Sequence, residues 1–169
     1  MSQDAFRIRN AVPGDVGEIA ALIRELALYE KEPEAAKATE ADLLRDGFGP
    51  EPYFRCVMLD AAAENASHAV AGFALYFFQY STWEGRPSLY LEDLFVRPAY
   101  RGRGFGKALL QHLAQVAVDR ECTRLQWECL DWNTPSLAFY ESLGASVLRE
   151  WLNLRLTGDD IARLAAGLP

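Results

Sequence analysis

Apolar and polar residues alternate over Phe6–Arg9, the two-residue period of a half-buried strand. The period then changes. Val16, Ile19, Ala20, Ile23, Leu26 and Ala27 recur at helical spacing and form one apolar stripe, which predicts a helix packed on a second layer. Pro13 suits the first turn of that helix, and Asp15 and Glu18 lie near its positive end. A second helix is expected from Thr39, where Thr39 and Asp42 form a capping pair, to Gly47 as its C-terminal stop. Tyr53–Leu59 reads as a strand, Ala61–His68 as a hairpin loop and the aromatic-rich Val70–Tyr80 as a long strand. Ser81–Ser88 must turn, and Leu89–Val96 is the next strand, closed by Pro98.

A glycine-rich stretch, Arg101-Gly102-Arg103-Gly104-Phe105-Gly106, comes next. Ala108, Leu109, Leu110, Leu113, Val116 and Ala117 then share one broad helical face. Leu125–Leu130 is a further strand. Asn133 can cap a helix with Pro135 in its first turn, ending at Gly144. Val147–Leu156 is expected to be mostly extended, and Gly158–Ala166 a short terminal helix. The order is β-α-α-β-β-β-α-β-α-β and a small helix, with no internal repeat or linker. Hairpins first and βαβ units later predict an α/β (α+β) class, with a mixed sheet covered by helices on both faces.

Composition narrows this picture. The 169 residues suit one domain over 1–169, half of them are hydrophobic and 24% charged, so a packed core is expected rather than disorder. The net charge of −7 disfavours nucleic acid and favours cationic ligands. Cys56, Cys122 and Cys129 are odd in number and show no C-x-x-C spacing, so neither a disulfide framework nor a metal site is expected. Reduced thiols, the absence of an apolar core in Met1–Asn10 and the lack of any long apolar run predict a cytoplasmic protein with no membrane contact.

The strand–glycines–helix junction carries the chemistry. Amides at a helix N-terminus point outward without intrahelical partners, glycines let a bulky anion approach them, and the helix dipole is positive there. A phosphate or pyrophosphate site follows, with Arg101, Arg103 and Lys107 adding charge. The loop is neither G-x-x-x-x-G-K-[ST] nor G-x-G-x-x-G, so nucleotide and dinucleotide readings are weak; a glycine turn without a ligand is the plain alternative.

The same six residues match [RQ]-x-x-G-x-[GA], the pyrophosphate signature of the GNAT superfamily of N-acetyltransferases. "LALYE", "DLLRDGFG", "YLEDLFV", "LDWN" and "FYESLGA" resemble, in order, its branch of spermidine/spermine and thialysine acetyltransferases. That resemblance, running from about Phe6 to Leu156, implies a mostly antiparallel sheet of about six to seven strands with a splayed parallel pair, Leu89–Val96 and Leu125–Leu130. It implies acetyl-CoA as co-substrate, no metal, and a homodimer, with Val147–Leu156 available to pair across it.

The resemblance also assigns roles. Backbone of Leu94, Phe95 and Val96 would pair with the pantetheine arm. Arg101, Gly102, Arg103, Gly104, Phe105, Gly106 and Lys107 would hold the pyrophosphate, with Arg101 and Arg103 acting as charge. Asn133 and Ser136 would touch the cofactor. Tyr140 would protonate the departing thiolate, as the chemistry of a thioester requires. Glu92 would act as base through water and Asp93 would bind the cationic amine. Two adjacent carboxylates in an apolar strand need such a reason, and alternation sends them to opposite faces. Glu30, Trp83, and Glu150 or Trp151 fall around the acceptor groove, where carboxylates and an aromatic face suit ammonium. "SVLREWLNLRL" is shorter than in the polyamine enzymes, and "LDWN" leans toward the thialysine-like members. The expectation is acetyl transfer to a small primary amine such as a polyamine, diamine or thialysine-like amino acid. The alternatives are a protein lysine or N-terminal acceptor, and a non-catalytic acetyl-CoA-binding module.

Overall fold

The structure, a computed structural model, describes residues 6–63 and 66–167. It divides into two compact units, one ending at Glu128 and the other beginning at Cys129.

The first unit is built on a five-stranded sheet in the order β1-β2-β3-β4-β5: β1 (Phe6–Asn10), β2 (Arg55–Ala63), β3 (Ala66–Ser81), β4 (Arg86–Val96) and β5 (Leu125–Gln126). The first four strands run antiparallel, and β5 runs parallel to β4 through two pairs, Leu89 with Leu125 and Tyr90 with Gln126. The expected hairpin loop Ala61–His68 contracts, because β2 and β3 extend into it; residues 64–65 lie outside the described residues. The expected strand Leu125–Leu130 shortens to two residues.

A 3₁₀ turn at Pro13–Asp15 leads into helix α1 (Val16–Tyr29). Arg9 donates to Asp15 and to Asp60, and the Val12 amide donates to Asp15, so one guanidinium ties β1, this turn and β2 together. Helix α2 (Glu40–Phe48) starts as expected, with the Thr39 hydroxyl accepting from the Asp42 amide. It does not stop at Gly47. Gly47 lies inside the helix because the Phe54 ring packs where a side chain would stand, 2.5 Å from an added Cβ; Gly49 is the cap.

Helices cover both faces. Ile19, Ala20, Leu22 and Leu43 from α1 and α2 meet Cys56, Met58, Phe73, Leu75 and Phe95 in one buried cluster. Helix α3 (Phe105–Asp119) buries Phe105, Leu109, Leu110, Leu113 and Ala117, the stripe read from the sequence. The cross-strand set Val57–Ala74–Leu94 alternates with the first cluster and so belongs to the other face.

The second unit holds α4 (Thr134–Ser142) and α5 (Asp159–Ala165). No strand forms over Val147–Leu156, so the count of six to seven strands is corrected to five among the described residues. Leu152, Leu154 and Leu156 alternate as a strand would, but a strand needs a hydrogen-bonding neighbour, and this unit contains none.

Gly72 sits where β3 and β4 approach most closely: an added Cβ would lie 2.5 Å from the Phe95 carbonyl oxygen and 3.2 Å from Val96. Gly72→Ala is therefore expected to cost about 2 kcal/mol, lowering Tm by roughly 6 °C. Thermal unfolding followed by circular dichroism reads this out, and an unchanged melt would remove Gly72 as a constraint on the pairing.

Candidate functional site

Strand β4 carries the first half of the site, and its geometry departs from plain alternation. Leu75 pairs with Asp93 but Tyr76 pairs with Leu91, so Glu92 is an extra residue with no partner on β3. This is a β-bulge, and it flips the faces on either side of it. Leu91, opposite Tyr76, lies on the α3 face. Asp93, opposite Leu75, lies on the α1 face, although the two are only two residues apart. Glu92 is exposed and Asp93 partly buried. The two carboxylates are thus separated as expected, but by a bulge rather than by the regular pleat.

Asp93 feels both Glu92 and Glu30, the latter capping the C-terminal end of α1 through its amide to Leu26. Burial, with the charges of Glu92 and Glu30, pushes the Asp93 carboxyl up to about 6. Burial likewise pushes the Glu30 carboxyl up. Three carboxylates beside the negative end of a helix dipole make a field that suits an ammonium ion. Tyr90, one step before this cluster, is pushed up to about 12 by burial and by the Glu128 carboxylate, to which its phenol donates.

The edge of β4 away from β3 is paired by β5 only as far as Tyr90, so Leu91–Val96 leave that edge open to strand-like partners in this unit. Arg97 donates its amide to the Ala71 carbonyl. Hydrogen-bonded residues alternate along an antiparallel pair, so Phe95 also spends its backbone on β3, while Leu94 and Val96 present theirs to the open edge. Of the three residues expected to meet the pantetheine arm, Leu94 alone has both groups free of β3 and of the neighbouring arginine. The Val96 carbonyl accepts from Arg101 Nε at 2.9 Å.

The glycine loop fits an anionic group. Gly102 and Gly104 adopt φ of +77° and +82°, and no atom lies within 4 Å of a Cβ added to either, so the space above them is open. Gly104 precedes α3, whose first closing bond runs from the Ala108 amide to the Gly104 carbonyl. The amides of Phe105, Gly106 and Lys107 therefore have no intrahelical acceptor. The Phe105 side chain is buried and packs on Phe6 at 5.3 Å, so only its backbone can serve a ligand. Arg103 and Lys107 are exposed at the loop, Arg103 lying 5.5 Å from the Tyr100 ring. Arg101 turns back instead, over the rings of Tyr29 at 4.8 Å and Phe95 at 5.4 Å.

Trp83 does not join these groups. It stands 87% exposed in the β3–β4 turn, and the strand from Arg86 to Glu92 separates it from the acids by roughly 20 Å of extended chain. In the second unit, Asn133 precedes α4 and is buried, but its side chain does not cap the helix as expected; Pro135 in the first turn already removes one of the amides a cap would satisfy. Ser136 and Tyr140 are partly buried on α4, and the Tyr140 ring lies 5.3 Å from that of Phe139. Glu150 and Trp151 are exposed in the irregular segment after α4. The sequence reading missed Tyr29, Tyr90 and Glu128. Tyr29 was in view beside Glu30 in "LALYE", but only folding brings it to the loop.

Among the described residues, no helix is long and apolar enough to cross a membrane, and no three acidic, His or Cys side chains are grouped to hold a metal ion. A model of the acetyltransferase (GNAT) family matches residues 19–145. The chain is 43% identical, over 94% of its length and 96% of the other, to thialysine N-epsilon-acetyltransferase of Bos taurus. It is 38% identical over 97% of its length to spermidine/spermine N(1)-acetyltransferase-like protein 1 of Homo sapiens, covering 24% of that longer protein. Among solved structures, an integron cassette protein from the mobile metagenome of V. cholerae is similar with a TM-score of 0.76 at 29% identity, covering 95% of this chain and 97% of that one.

The raised Asp93 value has a stability consequence. A carboxyl whose folded value is about 6 and whose ordinary value is 3.8 favours folding when protonated; that contribution is complete below about pH 4 and lost as pH rises through 6. Asp93→Asn should thus stabilise the protein at pH 7–8 by about 2 kcal/mol and leave it unchanged at pH 4. Urea titrations at the two pH values measure the difference, and an equal effect at both would mean the carboxyl is not held in this way.

Proposed function

Because this chain belongs to the acetyltransferase (GNAT) family and is an acyltransferase, we propose that it transfers the acetyl group of acetyl-CoA to the primary amine of a small cationic substrate. The observation that carries the substrate class is the carboxylate cluster of Glu30, Glu92 and Asp93 at the edge of β4. A cationic amine would enter that field, and a peptide backbone is not needed to satisfy it. Similarity to enzymes named for thialysine and for spermidine and spermine supports an acceptor with a flexible aminoalkyl arm.

The amides of Phe105, Gly106 and Lys107, over the left-handed Gly102 and Gly104, are the groups we assign to the pyrophosphate, with Arg103 and Lys107 for charge. Leu94 is the residue assigned to the pantetheine amides, and Asn133 and Ser136 to further contacts with the same substrate. Acetyl-CoA supplies the thioester. The acceptor arrives as ammonium and gives a proton, through water, to the Glu92–Asp93 pair. Its free nitrogen then attacks the thioester carbonyl, the carbon–sulfur bond breaks, and the sulfur leaves as thiolate. Tyr140 is assigned to give its phenolic proton to that thiolate, and the acylated nitrogen gives its second proton, through water, to the resulting tyrosinate, which leaves a neutral amide and restores the phenol. Asp93 carries the acid limb of the rate, and the neighbouring charge of Glu92 acts on it. A second copy of this chain is the partner we propose for Val147–Leu156, whose Leu152 and Leu154 are 83% and 89% exposed; sedimentation equilibrium that finds monomers would dispose of it.

The decisive assay is thiol release from acetyl-CoA with thialysine, spermidine, spermine, putrescine, lysine and a lysine peptide. Strong turnover with one of the small amines supports the reading; turnover with the peptide alone replaces it with a protein acceptor. Tyr140→Phe should lower kcat by about 100-fold while acetyl-CoA still binds. The acid limb of kcat/KM should fall near pH 6, move to lower pH in Glu92→Gln, which removes a like charge from Asp93, and vanish in Asp93→Asn. A limb that stays in place in Glu92→Gln would uncouple the pair.

A further inference from the structure

Three arginines surround the glycine loop, and they are placed differently. Arg97, directly after β4, donates to Glu25, Glu18 and the Val70 carbonyl, which fixes α1 against the end of the sheet. Arg103 projects at the loop itself. Arg101 opens the loop, yet its Nε–H donates to the Val96 carbonyl at 2.9 Å, and its guanidinium carbon lies 4.8 Å from the Tyr29 ring and 5.4 Å from the Phe95 ring.

We propose that Arg101 is a positioning residue rather than a phosphate ligand: it holds the glycine loop to the last turn of α1 and to the end of β4. Three features support this. The Nε donor closes a ring from Arg101 back to Val96 across the turn at Pro98–Tyr100, which sets where Gly102 begins its left-handed conformation. The planar guanidinium matches two aromatic faces, a fit that an ammonium group does not reproduce. Tyr29 is followed by Glu30, so the same contact couples the anion-binding loop to the carboxylate cluster. Arg101 thus acts on acetyl-CoA through the shape of the loop, with its guanidinium set against two rings rather than over the glycines. The proposal rests on the acetyl-CoA reading above.

Donor geometry and charge separate cleanly by substitution. Arg101→Gln keeps a planar N–H donor and loses the charge; Arg101→Lys keeps the charge and loses the planar fork. Acetyl-CoA binding, measured by calorimetry with no amine present, should stay within about threefold of wild type in Arg101→Gln and weaken about tenfold or more in Arg101→Lys. The dependence of log Kd on log salt should be unchanged in Arg101→Gln and shallower in Lys107→Gln, which removes a charge at the loop. Tyr29→Leu, which changes no charge, should weaken acetyl-CoA binding by about threefold or more. Melting curves of each variant accompany the titrations, so a loss of binding without a loss of folding is read directly. The reverse pattern, with Arg101→Lys like wild type and Arg101→Gln weak with a shallower salt slope, overturns the proposal, as does a Tyr29→Leu variant that binds normally. Wild-type protein that binds no acetyl-CoA at all would overturn the functional reading itself and this proposal with it.

Discussion

Strand β4 is held by β3 from Arg86 to Val96, but by β5 for only two residues on its other side. That asymmetry governs the first unit. Pairing with β3 forces the two chains so close at Gly72 that no side chain fits there, and it takes up the backbone groups of Phe95. The short pairing with β5 leaves Leu94 facing an open edge. A sheet interior with one unfinished edge presents backbone groups that the ladder behind them holds in place. Rigidity on one side is what makes openness on the other useful.

The bulge at Glu92 changes which side chains this scaffold presents. A regular pleat would put Leu91 and Asp93 on one face and bury the acid among the residues under α3. The extra residue flips the phase, sending Asp93 toward α1 and Glu30 and leaving Glu92 unpaired and exposed. The cost is a carboxyl held up at about 6 by burial and by two like charges. A group tuned to that value is ionised at neutral pH and still able to take a proton, which suits an acceptor that must lose one.

Opposite charges are kept apart by secondary structure. The positive end of α3 lies at Gly104, beyond β4, and the negative end of α1 lies at Glu30. Arg101 spans the two through Tyr29, and Arg97 braces α1 against the sheet through Glu18 and Glu25. Ion pairs this exposed contribute little stability singly. Their role here is geometric: they set the spacing between the glycine loop and the C-terminal end of α1.

The sequence by itself determined most of the elements and the chemistry. Helical stripes over α1 and α3 marked their buried faces, the Thr39–Asp42 cap marked the start of α2, and the glycines marked a turn into α3, because these depend on residues near one another in the chain. The glycines at 102 and 104 were legible for the same reason, since a left-handed turn is a local demand. What needed the tertiary structure were the features set by partners distant in sequence. Gly47 reads as a stop until Phe54 packs upon it. The bulge depends on counting β4 against β3. Val147–Leu156 has a strand's alternation, yet its own unit gives it no neighbour to pair with. Arg101 reads as a charge for phosphate until folding brings Tyr29 beneath it. Periodicity and capping are properties of a short segment, whereas register, pairing and the direction of a long side chain are decided by whatever the rest of the chain places beside it.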